Sequence, residues 1–285
     1  MGPLFLNRLF FNRDTPMDTD STEKAQRGIQ SVEVGSEILL ALTYSDSPMP
    51  LKEIARVTGM PPAKLFPYLV SLIKLQLVQR VEPSGDYAPG SLALRLGLYG
   101  LQRLNPLREA EADVLALASK TGQSVFVTTW GPNGPVVVRQ EDPSYPLHLT
   151  LRIGTIMSLV NTATGRLFGA YMPESLVRKA LDDEHIRLSG ATGLKAQDKQ
   201  RLFKEYEQIR EDGMTRTTGH PLPGVNAIAA PVFMFNGTIA LAITLVGPAG
   251  TFDTRWDGDL ALTLRQTATD LSYRLGYTAP QGSDD

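Results

Sequence analysis

The sequence contains no cysteine. Disulfides, thiolate metal sites and cysteine nucleophiles are therefore excluded together, and the absence fits a reducing cytoplasm, the expected location. Histidine is almost as scarce. His148, His185 and His220 are the only three, and no two stand at metal-ligand spacing, so zinc or histidine-based catalysis has little to work with; loop or surface histidines are the plainer account. No run approaches the roughly 18 apolar residues of a membrane-spanning helix. The apolar cluster in MGPLFLNRLFFNRDTP is broken by Asn7 and Arg8 and lacks a small-residue cleavage site. It reads as part of a disordered tail over residues 1–27, with Met17 as an alternative start, rather than as a signal peptide. A G-x-S-x-G elbow, a phosphate-binding loop and a dinucleotide fingerprint are all missing, so an enzyme is the least supported reading. Scattered Asp and Glu fit solvated helix faces, and neither a metal nor a cofactor is expected.

What is present suffices for two domains: 285 residues, 42% apolar and 20% charged. Net charge is −2 but unevenly shared, with nine Lys or Arg against six Asp or Glu between residues 24 and 105. That surplus of +3 hints at a polyanion-facing end without establishing one.

Residues 31–44 place Val34, Ile38, Leu39 and Leu42 at helical spacing. A short second helix follows Pro50 and stops at Gly59, and Leu65, Leu69, Leu72 and Ile73 outline a third. Leu77 to Glu82, the turn Pro83-Ser84-Gly85-Asp86 and the restart at Tyr87 then form a hairpin. Three helices followed by a hairpin are a winged helix-turn-helix, placed here at residues 28–90. Its third helix is the DNA-facing one, with Ala63, Pro67, Val70 and Lys74 on the exposed side. Pro67 is awkward there. A proline inside a helix costs roughly 3 kcal/mol, so residues 61–66 are expected to form an irregular or single-turn entry and the regular helix to begin near Pro67. Lys64 and Ser71 are the polar candidates for base edges, Phe66 and Val70 are limited to thymine methyls or sugar, and Lys52, Lys64, Lys74 and Arg80 are phosphate contacts, with Ser84 at the wing.

Residues 91–121 read as two connector helices broken near Asn105-Pro106, and their long apolar face is the expected place of self-association. Residues 122–278 read as an α+β domain, with a short tail at 279–285. Strands are expected at Ser124–Trp130, Pro135–Glu141, Leu147–Arg152, Asn226–Met234 and Thr238–Val246, the last two joined through Asn236-Gly237. Helices are expected at Thr164–Tyr171, Glu174–Leu181, Asp198–Asp212 and Asp257–Leu275. Around Asn161 to Gly165 a helix opens among small residues, and free amides there suit a carboxylate or phosphate. The plainer alternative is that Thr162 only caps the helix and Gly165 packs on the sheet.

From about Gln30 to Tyr277 the chain resembles the IclR family of bacterial transcriptional regulators. Gln30-Ser-Val-Glu, Leu51-Lys-Glu-Ile-Ala, Tyr87 to Gly90, Arg152-Ile-Gly-Thr, Ala163-Thr-Gly-Arg and Pro223-Gly-Val-Asn-Ala-Ile-Ala-Ala-Pro-Val carry the resemblance. It implies an N-terminal winged helix-turn-helix and a C-terminal effector-binding domain similar to the GAF fold, with antiparallel sheet and flanking helices. It also implies a dimer or tetramer on a palindromic site in double-stranded DNA. The effector cradle it implies comprises Gly154, Thr155, Met157, Thr162, Ala163, Thr164, Gly165, Ala227, Thr244 and Val246. Ala227 stands where members often have cysteine, and Val246 where a second hydroxyl is common. Fewer polar partners favour a small organic acid with an aromatic or branched body. Pro67 stands where the family commonly has an arginine. That departure leaves a second reading open: a ligand-binding protein of the same build that has lost DNA binding and acts through protein contacts.

Overall fold

Residues 28–45, 47–142, 151–189 and 195–278 are described by a computed structural model. The chain divides into two units, Met1–Arg103 and Leu104–Asp285.

In the first unit, α1 (Gln30–Thr43) buries Ile38, Ala41 and Leu42. Helix α2 (Leu51–Thr58) starts after Pro50 and ends at Gly59, whose φ of 67° permits the sharp turn into the next helix. Helix α3 (Pro62–Lys74) buries Leu65, Leu69 and Leu72. Strands β1 (Val78–Val81) and β2 (Asp86–Pro89) pair antiparallel. Met49 and Tyr87 exchange two backbone hydrogen bonds of 2.9 Å, which anchor the hairpin to the helices. The order is that of a winged helix-turn-helix.

One expectation fails here. The regular helix does not begin near Pro67 after an irregular or single-turn entry: α3 is continuous from Pro62 and Pro67 lies inside it. Starting the helix at Pro67 would release Leu65, which is 0% exposed, whereas Leu69 and Leu72 follow Pro67 and stay helical either way. Burying that one leucine stabilises by about 1.5–3 kcal/mol, which offsets most of the roughly 3 kcal/mol cost of an interior proline.

Helix α4 (Ser91–Arg103) has no buried residue. After Asn105, whose side chain accepts from the amides of Leu107 and Arg108, come a single turn α5 (Pro106–Glu109) and helix α6 (Glu111–Thr121). The expected break near Asn105-Pro106 is there, with α5 as an added turn.

The second unit holds a five-stranded antiparallel sheet in the order β4-β3-β7-β6-β5. Its strands are β3 (Ser124–Gly131), β4 (Gly134–Glu141), β5 (Thr215–Thr218), β6 (Val225–Phe233) and β7 (Ile239–Pro248). Helices α7 (Ala163–Tyr171), α8 (Glu174–Ser189), α9 (Ala196–Asp212) and α10 (Asp259–Arg274) flank it. Edge strand β5 escapes the sequence reading because four residues, TRTT, give too short an alternation. The strand expected at Leu147–Arg152 lies largely outside the described residues; Leu151 and Arg152 are not in a strand. Asn236-Gly237 turns the chain between β6 and β7, but within the five-residue loop 234–238, with a register shift at Val232/Phe233, not as a two-residue hairpin.

Alternation along the strands gives the sheet two distinct cores. Val125, Val127, Ile228, Ile243 and Leu245 pack with Val114 and Leu117 of α6 and Leu264 and Leu271 of α10. On the other face, Ala229 and Ala242 pack with Leu167 and Phe168 of α7, Val177 and Leu181 of α8 and Tyr206 of α9. Beside the second core sit Phe126, Val137 and Val246.

Candidate functional site

Two surfaces carry candidate chemistry. On the first unit, Ala63, Lys64, Phe66, Pro67, Ser71 and Lys74 are all exposed along α3, as the sequence implies, while Val70 is half-buried. Lys52, Arg80 and Ser84 are exposed as well. Several of these groups are engaged locally. Ser71 donates its hydroxyl to Pro67 O at 3.0 Å, and Arg80 Nε donates to Gly85 O at 3.0 Å, folding the guanidinium back over the wing. Arg56, one turn after Lys52 on α2, is a basic residue the sequence reading passes over. It is ion-paired with Glu53, and its hydrogen bond holds the Glu53 carboxyl below the usual range. The pair offers little net charge to a polyanion.

On the second unit a cavity of about 80 Å³ opens between β3, β6, β7, the start of α7 and the segment after β5. Met157, Thr162, Ala163, Thr164, Ala227, Thr244 and Val246 line it, seven of the ten residues named for the effector. The helix start is built as its sequence requires. Thr162, in extended conformation, accepts the amide of Gly165 at 3.0 Å, so the amides of Ala163 and Thr164 have no acceptor within the helix. Thr164 and Thr244 share a hydrogen bond of 2.7 Å between buried hydroxyls at the cavity wall. The cavity surface is almost wholly apolar; the partial positive charge of the helix start lies on its Ala163 and Thr164 side, and one of the two hydroxyl hydrogens is spent on the Thr164–Thr244 bond.

Gly154, Thr155 and Gly165 do not line the cavity. Gly154 and Thr155 instead tie their turn to β4, through Gly154 N to Val137 O at 2.7 Å and Val137 N to Thr155 O at 2.9 Å. Gly165 is pressed not on the sheet but on the preceding loop, where a Cβ would lie 1.9 Å from Ser158 O. Ser158 in turn donates to Glu184 of α8 at 2.5 Å, the Leu159 amide reaches the same carboxylate at 2.9 Å, and Tyr206 donates to Leu159 O at 3.1 Å. Burial, followed by the Glu184 charge, pushes the Tyr206 phenol well above its ordinary ionisation range, so it remains a donor.

The sequence reading misses Phe126, Leu151, Thr217, His220, Pro221, Leu222 and Val225 in the lining. Phe126 and Val225 were readable only as core. Thr217 needs β5, which was not foreseen, to bring it there. His220 is a loop histidine as expected, yet among the described residues it is the one ionisable side chain lining the cavity.

Comparisons with known proteins agree with this architecture. Residues 31–82 match the family model "IclR helix-turn-helix domain" and residues 100–273 "Bacterial transcriptional regulator IclR C-terminal". The chain is 23% identical over 252 residues to the DNA-binding transcriptional repressor YiaJ of Escherichia coli, covering 88% of this chain and 89% of that one. It is 25% identical to the HTH-type transcriptional repressor AllR of Salmonella paratyphi A, over 90% and 93% of the two chains. Pseudomonas aeruginosa HmgR superposes with a TM-score of 0.76 at 32% identity, covering 88% of this chain and all of that one. With both of its units matched in order, the chain belongs to the IclR family of bacterial transcriptional regulators.

Proposed function

We propose that the protein is a cytoplasmic, non-enzymatic regulator that binds double-stranded DNA through α3 and the wing and is controlled by a small organic acid in the second unit. The observation that carries the effector half is the cavity: apolar walls of Phe126, Met157 and Val246 beside the start of α7, where Ala163 and Thr164 line it and Thr164 pairs with Thr244. Such a site suits one carboxylate on a sizeable hydrophobic body, aromatic or branched. Calorimetric titration with benzoate, phenylacetate, isovalerate, pyruvate and glyoxylate tests it. Binding confined to the two- and three-carbon acids overturns it.

The DNA half leans on phosphate contacts from Lys52, Lys64, Lys74 and Arg80, so affinity for a palindromic operator should fall steeply with salt. Self-association as a dimer or tetramer is expected through α4, which exposes Leu94, Leu96, Leu98, Tyr99 and Leu101 on a helix with no buried residue. Effector acts through different affinities for DNA-competent and DNA-incompetent arrangements of the paired units.

One observation favours a second reading, in which DNA binding has been lost: Pro67 and Phe66 occupy the middle of the exposed face of α3, where no arginine stands. A gel-shift titration over a salt series, with the protein's own upstream region as probe, separates the two. No shift at low salt would favour the second.

A further inference from the structure

Because α3 is helical on both sides of Pro67, the proline has a consequence for the backbone. In a regular helix the amide of residue 67 would bond to the carbonyl of residue 63. Proline has no N–H, and its ring presses against that carbonyl and turns it outward. Ala63 and Pro67 are both exposed, on the side of α3 opposite the buried Leu65, Leu69 and Leu72. The carbonyl that loses its helical donor therefore belongs to the exposed face. The helix is already closed ahead of it, where Pro61 O accepts from Lys64 N and Leu65 N at 2.9 and 3.0 Å.

We propose that the Ala63 main-chain carbonyl is a base-reading acceptor, selecting at one position of each half-site a base that presents an exocyclic amine in the major groove, adenine N6 or cytosine N4. The proposal rests on α3 being the DNA-facing helix. The neighbouring side chains leave this role open: Ala63, Phe66 and Pro67 have no polar group, and Lys64 only donates. Ser71, which gives its hydroxyl hydrogen to Pro67 O, adds at most a second acceptor. Guanine O6 or thymine O4 at the same place would set acceptor against acceptor. Where a family arginine would donate to a base, this helix accepts from one, so the proline changes the base that is read.

The test is selection of duplexes from a randomised pool at low salt by the full chain and by its Pro67→Ala and Pro67→Val variants. Both substitutions restore the amide that closes on Ala63 O, and valine keeps most of the bulk. The wild type should select adenine or cytosine at one position per half-site. Replacing that base by an analogue lacking the amine should weaken binding on the order of fivefold. Both variants should lose preference at that position and keep it elsewhere. Identical preferences in all three proteins overturn the proposal, as does loss in the alanine variant alone, which would assign the preference to the proline ring. If no protein retains any duplex, the DNA-binding reading itself falls, and the proposal with it.

Discussion

Replacing Gly165 by alanine tests how the proposed effector cradle is built. The added methyl would lie 1.9 Å from Ser158 O, 2.5 Å from its carbon and 2.9 Å from Leu159 N, against ordinary contact at 3.4 Å or more. All three neighbours are backbone, so no side-chain rotation relieves the clash. The loop cannot retreat freely, because the Glu184 carboxylate and the Tyr206 hydroxyl hold it. Nor can the helix, because Leu167 and Phe168 are fully buried and Gly169 lies against the Tyr206 ring, 2.2 Å from where its own Cβ would be. One side must move by roughly 1.5 Å, which for an overpacked core costs about 1–3 kcal/mol. The better helix propensity of alanine returns up to about 1 kcal/mol. A net loss of about 1 kcal/mol lowers the unfolding midpoint of a unit this size by roughly 2–4 °C. The displaced turn carries the Ala163 and Thr164 amides with it, so benzoate or phenylacetate affinity should fall at least about tenfold. Low-salt DNA binding should persist. Thermal unfolding and calorimetry of the full-length variant decide the matter: unchanged midpoint and unchanged affinity would refute the reasoning.

Pro67→Arg adds a cation to the exposed face of α3 and restores a helical amide; nonspecific duplex affinity should rise and the salt dependence steepen by about one unit of slope, read by gel shift over a salt series. Leu98→Asp places a charge on the apolar face of α4; light scattering should show a lower oligomeric state, and an unchanged mass would move the self-association surface elsewhere. Tyr206 has a raised folded-state ionisation, so its contribution to stability is complete below the ordinary tyrosine value near 10 and is lost as pH climbs through the folded-state value. Tyr206→Phe should lower the midpoint at neutral pH by the loss of the bond to Leu159 O, about 1 kcal/mol, and flatten the decline measured above pH 10.

Much of this molecule is legible in its residues wherever local chemistry and tertiary demand agree. Gly59 stops α2 and Thr162 caps α7, while Ala227, Thr244 and Val246, which line the cavity, are named by the family resemblance and not by strand alternation. Legibility ends where long-range packing outweighs a local preference. Leu65 keeps α3 helical through Pro67 because its burial in the core of the first unit offsets most of what the proline costs. Thr217 and His220 are invisible to sequence reasoning because only pairing of the short edge strand β5 with β6 delivers them to the cavity. Gly165 was rightly singled out as a close contact, but its neighbour is a loop seven residues back rather than the sheet.

The two-sided sheet separates what can vary from what must hold. Along β7, Ala242, Thr244 and Val246 face α7 and the cavity, while Leu241, Ile243 and Leu245 face α6 and α10. Every second residue of a single strand can thus be exchanged to suit a differently shaped acid while the intervening ones keep the opposite layer intact. A regulator built this way can acquire a new chemical signal through a handful of substitutions without relearning how to fold.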